Sequence, residues 1–352
     1  MPTHYAIEII KRTLRFKFRA GTSRGVYTER TVWYLKLTDT ERPGQVGWGE
    51  CAPLPDLSCD ASPAYAQVLA DMCQQVTEEG RLDFAALAPY PSILMGLETA
   101  FANLQSEGSW AFHTNAFTRG EQGIAINGLV WMGAFDVMAK RIEEKIAQGF
   151  RCVKLKIGAI AFEDELTLLR KIRKRFTPAD IELRVDANGA FSPAEVRQKL
   201  TRLSALDLHS IEQPIRAGQW ELMAQLCQES PLPIALDEEL IGHHTLTEKQ
   251  HLLDTIHPQY LVLKPTLHGG FKGSDEWKAE AEKRHIGWWA TSALESNIGL
   301  NAIAQWCAPL ELKRTQGLGT GLLFEENVAS PLVIKKDKLW FNPAKNIPLK
   351  DL

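Results

Sequence analysis

Five short segments of this 352-residue sequence bring charged side chains to nearly even intervals. Lys154-Leu-Lys156 is followed by Val185-Asp186-Ala-Asn188, Ile211-Glu212-Gln-Pro214, Leu236-Asp237-Glu238 and Leu263-Lys264-Pro265. From Lys156 to Asp186 is 30 residues, and the next steps to Glu212, Asp237 and Lys264 are 26, 25 and 27. A single carboxylate after an apolar run is usually a helix cap or a turn residue, and a single lysine there usually snorkels to water. Five such groups in step are too ordered to be five independent caps. Three carboxylates that converge repel one another unless a cation sits among them. Oxygen-only ligation, with no His or Cys in the set, favours Mg²⁺ over zinc, with Mn²⁺ able to substitute. Asp186, Glu212 and Asp237 are therefore the candidate metal ligands, and the adjacent Glu238 points elsewhere. Lys154 and Lys156, two apart on a strand, face the same side, and Lys264 joins them from another strand as an acid–base group. A lysine is a base only when neutral. Neighbouring cations push it that way and neighbouring carboxylates push it back, so the sequence leaves the sign open. Removing a proton alpha to a carboxylate is the chemistry such parts would suit, since a divalent ion can stabilise the enediolate formed.

The elements that must hold these residues follow from the apolar patterning. From Gly123 onward a short apolar strand and an amphipathic helix alternate. The expected strands are Ala125–Val130, Cys152–Ile157, Glu182–Val185, Ser210–Glu212, Pro233–Leu236, Tyr260–Lys264, Gly287–Ala290 and Arg314–Gly317. Helices are expected at Gly133–Gln148, Glu163–Arg175 and Pro193–Leu203, the last with Ser192 as cap and a proline in the first turn. Alternation of this kind means a parallel sheet with helical crossovers. Eight units in roughly 200 residues fit a closed (β/α) barrel, whose active site lies at the carboxyl ends of its strands. An open doubly wound sheet would usually carry a Gly-x-Gly-x-x-Gly turn, which Gly128-Leu-Val-Trp-Met-Gly133 does not match. Before residue 122 the chain reads as strands (Tyr5–Phe18, Thr31–Leu37, Val46–Glu50) and then helices (Pro63–Glu79 with Ser62 as cap, Ser92–Glu107). That order suggests a small α+β unit. The loop Ala20–Gly25 carries Arg24, which is expected to be solvated, with a reach over the site as the alternative.

Lys+Arg 40 against Asp+Glu 43 gives a net charge of −3, so no broad basic surface is available for nucleic acid. No apolar run approaches the roughly 20 residues that span a bilayer. The first 18 residues alternate rather than forming the apolar core of an export signal, so six reduced cysteines and a cytoplasmic location are expected. His243-His244 has no metal-ligand spacing and is expected on the surface. Gly269-Gly270 and Gly317–Gly321 are ordinary turns or, equally, donors of backbone N–H groups to a substrate carboxylate.

As an ordered set, the five charged segments resemble the enolase superfamily in its muconate-lactonising-like branch, over nearly the whole chain. Further segments are similar to the o-succinylbenzoate synthase family: Gly47-Trp-Gly-Glu-Cys-Ala-Pro-Leu-Pro55, Lys264-Pro-Thr-Leu-His-Gly-Gly270, Ser292-Ala-Leu-Glu295-Ser-Asn-Ile-Gly299 and Gly317-Leu-Gly-Thr-Gly321. The resemblance implies a modified TIM (β/α)7β barrel with an α+β capping domain. Residues 1–122 would form the cap, 123–322 the barrel, and 323–352 a segment returning to the cap. It implies an Mg²⁺-dependent lyase acting on a small dicarboxylate, 2-succinyl-6-hydroxy-2,4-cyclohexadiene-1-carboxylate, in menaquinone synthesis, with Lys156 taking the alpha proton. Lys264 would stabilise the enediolate as a cation, while Lys154 and Asn188 support the site. Substrate contacts would come from Asn188, Gly269, Gly270, Ser292, Gly319 and Thr320. The same machinery permits racemisation of N-succinylamino acids or epimerisation of dipeptides. Dipeptide epimerases typically carry Asp-x-Asp after the last strand, where this sequence has Gly319-Thr-Gly321.

Overall fold

The computed structural model describes residues 4–22, 25–42 and 44–349. The amino-terminal alternation of apolar and charged residues forms a long antiparallel hairpin, β1 (Tyr5–Thr22) and β2 (Gly25–Asp39), with β3 (Val46–Cys51) on the far edge of β2. The hairpin runs through the segment expected to be the loop Ala20–Gly25, because Ala20, Gly21 and Thr22 pair with Tyr27, Val26 and Gly25. Three helices cover one face: α1 (Tyr65–Glu79), α2 (Phe84–Leu87) and α3 (Pro91–Gln105). Ser62 gives only its carbonyl to the turn before α1, and its side chain does not cap the helix. Strand β3 lies directly on α3. A Cβ on Gly49 would stand 1.9 Å from the carbonyl oxygen of Gly96, so only glycine allows the two backbones to approach this closely.

The alternating region builds β4 (Ile124–Ala125), β5 (Gly128–Val130), α4 (Phe135–Ala147), β6 (Cys152–Lys156), α5 (Phe162–Arg175), β7 (Glu182–Asp186) and α6 (Val196–Ser204). It continues with β8 (Ser210–Glu212), α7 (Trp220–Glu229), β9 (Ile234–Leu236), α8 (Leu246–Ile256), β10 (Tyr260–Leu263), α9 (Gly270–Lys283), β11 (Gly287–Ala290) and α10 (Asn297–Cys307). A final hairpin, β12 (Leu332–Lys335) and β13 (Lys338–Phe341), was not foreseen from the sequence. Seven strands pair in parallel in the order β11-β10-β9-β8-β7-β6-β5, giving a mixed α/β fold with a curled parallel sheet. Their near-continuous burial explains why they read as plain apolar runs.

Three expectations are corrected. The strand expected at Ala125–Val130 is two strands. Ile124 and Ala125 pair antiparallel with Leu339 and Lys338, and only Gly128–Val130 joins the large sheet. The expected strand Arg314–Gly317 shrinks to two bridges, Gln316 to Ile126 and Gly317 to Thr291, which reach towards both edges of that sheet. The helix expected from Pro193 begins at Val196, because the Ser192 carbonyl accepts from the amides of Glu195 and Val196 and closes a turn first.

Two acids from the amino-terminal unit dock it onto helices of the large sheet. Glu50 on β3 accepts from the amides of Ser296 (2.8 Å) and Gly299 (2.7 Å) and from the Ser296 hydroxyl (2.6 Å) at the start of α10. Glu98 on α3 accepts from the amides of Phe271 (2.6 Å) and Lys272 (3.2 Å) at the start of α9. Each carboxylate meets the unpaired N–H groups and positive dipole end of a helix. Among the described residues no helix is long and apolar enough to cross a membrane, and all six cysteines are free thiols.

Candidate active site

Parallel pairing sets the strand ends level. Lys156 sits opposite Asp186, and Asp186 opposite Glu212, so three charged side chains from β6, β7 and β8 stand side by side. Lys154 precedes Lys156 by two residues on β6 and shares its face. Asp237 follows β9 and Lys264 follows β10. All six side chains are buried.

The lysines and acids interlock. Lys154 Nζ donates to both carboxylate oxygens of Glu212 (2.6 Å each) and lies 2.9 Å from Asp186 Oδ2. Lys156 Nζ donates to Asp186 Oδ2 (3.0 Å) and to Asn188 Oδ1 (2.7 Å), with the ring of Trp131 5.9 Å away. Lys264 Nζ donates to Asp237 Oδ2 at 2.5 Å. These surroundings separate the lysines. Burial pulls the Lys156 ammonium below the ordinary lysine value, and the charges of Lys154 and Lys264 add to that pull against Asp186 and Glu212. Burial acts on Lys154 and Lys264 too, but the facing carboxylates outweigh it and raise both. Lys156 is thus the group readiest to be neutral, and Lys264 the one held as a cation. The sign that the sequence left open is decided by the balance of charges around each ammonium: Lys156 has Asp186 and Glu212 set against Lys154 and Lys264, whereas Lys264 has Asp237, Glu212 and Glu238 set against Lys154.

Among the described residues no three His, Cys, Asp or Glu side chains are gathered into a metal-holding group, because each of the three acids is turned to an ammonium. The donor set nevertheless fits a hard divalent cation. Asp237 Oδ1 is buried with no hydrogen-bond partner while its other oxygen is held by Lys264. Burial, and after it the neighbouring Asp186, push Glu212 well above the usual carboxylate range. All the donor atoms are carboxylate oxygens.

A cleft opens over these residues. Its polar wall includes Lys154, Lys156, Asn188, Lys264, Ser292, Gly319 and Thr320, and its apolar wall Leu54, Leu57, Trp131 and Leu294. Leu54 and Leu57 come from the loop after β3, so the amino-terminal unit completes the cleft. Ser292 Oγ donates to Glu295 (2.6 Å) and Thr320 Oγ1 donates to Ser292 (2.8 Å). Both hydroxyl protons are therefore used inside the protein. Among the described residues the amides of Gly319 and Thr320 donate to no protein acceptor, and both residues line the cleft.

Not every expected residue arrives. Gly269 and Gly270 are outside this cleft, where they open α9 with positive φ. The helix start they form is already taken by Glu98, whose carboxylate would meet a Cβ on Gly270. The substrate role expected of them is therefore corrected. His243 and His244 are half-buried rather than exposed, beside Lys249 and His268. Arg24 lies outside the described residues.

Four residues that sequence reasoning did not single out hold the site. Gln213 accepts from the amides of Asp237 (3.1 Å) and Glu239 (3.3 Å), fixing the turn that presents Asp237. Glu295, fully buried, collects Ser292 Oγ, Thr266 Oγ1 and the amide of Ala293. Arg30 on β2 donates to the carbonyls of Ala52, Pro53, Ala293 and Leu294. Trp131 walls the cleft next to Lys156. The sequence offered one signal, Gln213 beside Glu212, and it was legible only as a strand end.

A sequence profile of the Enolase C-terminal domain-like family matches residues 137–340. The chain belongs to this family, within the enolase superfamily. It is 44% identical over 352 aligned positions to the o-succinylbenzoate synthase of Desulfotalea psychrophila, covering 91% of this chain and 95% of that one. The crystal structure of MenC from the same organism superposes with a TM-score of 0.82 at 39% identity, covering 96% of this chain and 99% of that one. The N-succinylamino acid racemase of Thermus thermophilus is 30% identical over 308 positions, covering 84% and 79% of the two chains.

Proposed function

We propose that the chain catalyses the dehydration of 2-succinyl-6-hydroxy-2,4-cyclohexadiene-1-carboxylate to 2-succinylbenzoate, the o-succinylbenzoate synthase reaction of menaquinone synthesis. The observation that carries this reading is the pair of lysines that reach one cleft, Lys156 from β6 and Lys264 after β10, each beside one of the buried acids Asp186 and Asp237. The 44% identity to a named synthase supports the choice of substrate.

The neutral amine of Lys156 takes the proton alpha to the ring carboxylate, and the electron pair of that C–H bond passes into the carboxylate as an enediolate. The Lys264 ammonium opposes the negative charge that develops. The pair then returns to the ring, the C–O bond breaks, and the Lys156 ammonium protonates the departing hydroxide, leaving water and an aromatic ring. Asp186, Glu212 and Asp237 would hold an Mg²⁺ ion, which when bound stabilises the enediolate oxygens. The amides of Gly319 and Thr320 would receive a substrate carboxylate, and Asn188 would orient Lys156. The curled sheet is read as a modified (β/α)7β barrel, with the bridges at Gln316 and Gly317 in place of an eighth strand. The divisions at residues 122 and 322 into cap, barrel and returning tail accord with hydrogen bonds from the indoles of Trp48 and Trp110 to the carbonyls of Leu349 and Ile347.

The purified protein with Mg²⁺ should convert the cyclohexadiene to product, seen as new aromatic absorbance, and Lys156→Ala should lower kcat by about 10³-fold or more. A second reading, N-succinylamino acid racemisation, is favoured by two lysines reaching one cleft from different strands and by the 30% identity to the Thermus enzyme. No product from the cyclohexadiene, together with rapid racemisation of N-succinylamino acids, would replace the first reading with the second.

A further inference from the structure

Lys264 is the first residue beyond β10, where the sheet no longer holds its backbone. Both of its backbone polar groups are instead taken by one residue four positions on. The Lys264 amide donates to His268 Nδ1 (3.0 Å), and the Lys264 carbonyl accepts from the His268 amide (3.0 Å) and from that of Leu267 (2.8 Å). The Gly270 amide closes the turn on the Pro265 carbonyl (2.8 Å). A ring nitrogen that accepts an N–H carries no proton, so the imidazole proton sits on Nε2, which is buried and without a protein partner. His268 is 3% exposed, and water does not substitute for it at the Lys264 amide. A histidine kept buried with one nitrogen unsatisfied is costly, and its other nitrogen makes the contact that compensates.

We propose that His268 is a positioning residue for Lys264: its imidazole and amide grip the lysine backbone on both sides and thereby aim the ammonium at the reacting carboxylate. The lever is long. Nζ stands roughly 6 Å from Cα, so a turn of about 10° in the backbone displaces the ammonium by about 1 Å, a shift that can cost up to about a hundredfold in rate. The ammonium already has Asp237 to hold its tip, so loss of the grip changes its direction without freeing it altogether. This inference rests on the role given to Lys264 under the proposed function.

The test uses His268→Leu, which removes the acceptor, and His268→Asn, whose Oδ1 falls near the place of Nδ1. With Mg²⁺ and the cyclohexadiene, His268→Leu should lower kcat by about tenfold or more while KM stays within about twofold, and His268→Asn should restore most of kcat. A purely architectural histidine would lower the melting temperature without this split between kcat and KM and without rescue by asparagine. Either result overturns the proposal. If His268→Leu does not fold, His268→Gln takes its place; its acceptor sits one methylene further out, so it should fall well below asparagine in kcat, and equal kcat for the two overturns the grip. If the parent enzyme only racemises N-succinylamino acids, the substrate reading fails while this inference is read on that reaction, where an unchanged kcat in His268→Leu overturns it.

Discussion

Replacing Arg30 with methionine keeps most of the side-chain volume and removes the charge and its donors. In the folded protein the guanidinium donates to the carbonyls of Ala293 (2.6 Å), Leu294 (2.5 Å), Ala52 (2.5 Å) and Pro53 (3.3 Å). It is 3% exposed, so water does not take over those bonds, and it is the counter-charge facing Glu295 and Glu50. A hydrogen bond to a charged group contributes roughly 1.5–3 kcal/mol, but four bonds to one cation do not add. Removing one partner of a buried charge network costs about 3–5 kcal/mol, and the middle of that range is the loss expected here. At about 2.1 cal/mol/K of unfolding entropy per residue, a chain of 352 residues should then melt about 5 °C lower. Arg30 also ties the loop carrying Leu54 to the loop carrying Leu294, and both leucines wall the cleft. KM should therefore rise by about tenfold, as the substrate must order the loops that Arg30 had ordered. Arg30→Lys keeps the charge without the planar fork and should recover about half of the lost stability. Thermal melts and steady-state kinetics on the three proteins check this. A methionine variant that melts within about 1 °C of the parent with unchanged KM would refute the reasoning.

Removal of divalent ions by a chelator should stop turnover and added Mg²⁺ should restore it; activity surviving thorough chelation would overturn Asp186, Glu212 and Asp237 as a ligand set. Glu98 gives a pH dependence. Burial raises its pKa to about 7 from the usual 4.5, so its contribution to stability is full below about pH 4.5 and is lost as pH rises towards 7. Glu98→Gln does not titrate, so the parent should lose about 2–3 kcal/mol relative to it between pH 4.5 and pH 7.5 in urea unfolding, and parallel stability curves would count against the burial argument. Gly49→Ala would press a methyl against the Gly96 carbonyl and should cost about 3 kcal/mol or more, seen as a lower melting temperature or loss of soluble protein; a parent-like melt would mean β3 can move off α3.

The strand ends were readable because parallel strands and crossover helices repeat at a nearly fixed length, so chemistry at one level of a sheet recurs at one interval in the chain. Lys156, Asp186, Glu212, Asp237 and Lys264 follow that interval, and their strands lie where the apolar runs predicted. Two of the readings that failed involve partners distant in the chain. Ala125 leaves the large sheet because Lys338 pairs with it from beyond 200 residues away. Gly269 and Gly270 look like a carboxylate cradle in sequence, but the amides that receive a carboxylate are those of Phe271 and Lys272 in the helix they open, and Glu98 from the amino-terminal unit fills that place.

The sequence alone determined the residue types, their order and their spacing, and hence three oxygen-donor acids set between lysines on a parallel sheet, the basis for proposing a cation site. Spacing is a local property, fixed by the length of each strand-helix unit. Only the tertiary structure decided which lysine is pulled towards neutrality, since burial and the balance of nearby acids and lysines depend on distances across β6, β7, β8 and β10. It alone decided that Ser292 and Thr320 spend their hydroxyl protons on Glu295 and Ser292, and that the amides of Gly319 and Thr320 find no acceptor among the described residues. The sequence likewise does not show what Arg30 and His268 do, although His268 falls in a segment of the family resemblance, because each acts by gripping backbone groups, and backbone atoms are the same at every position until the fold brings one within reach.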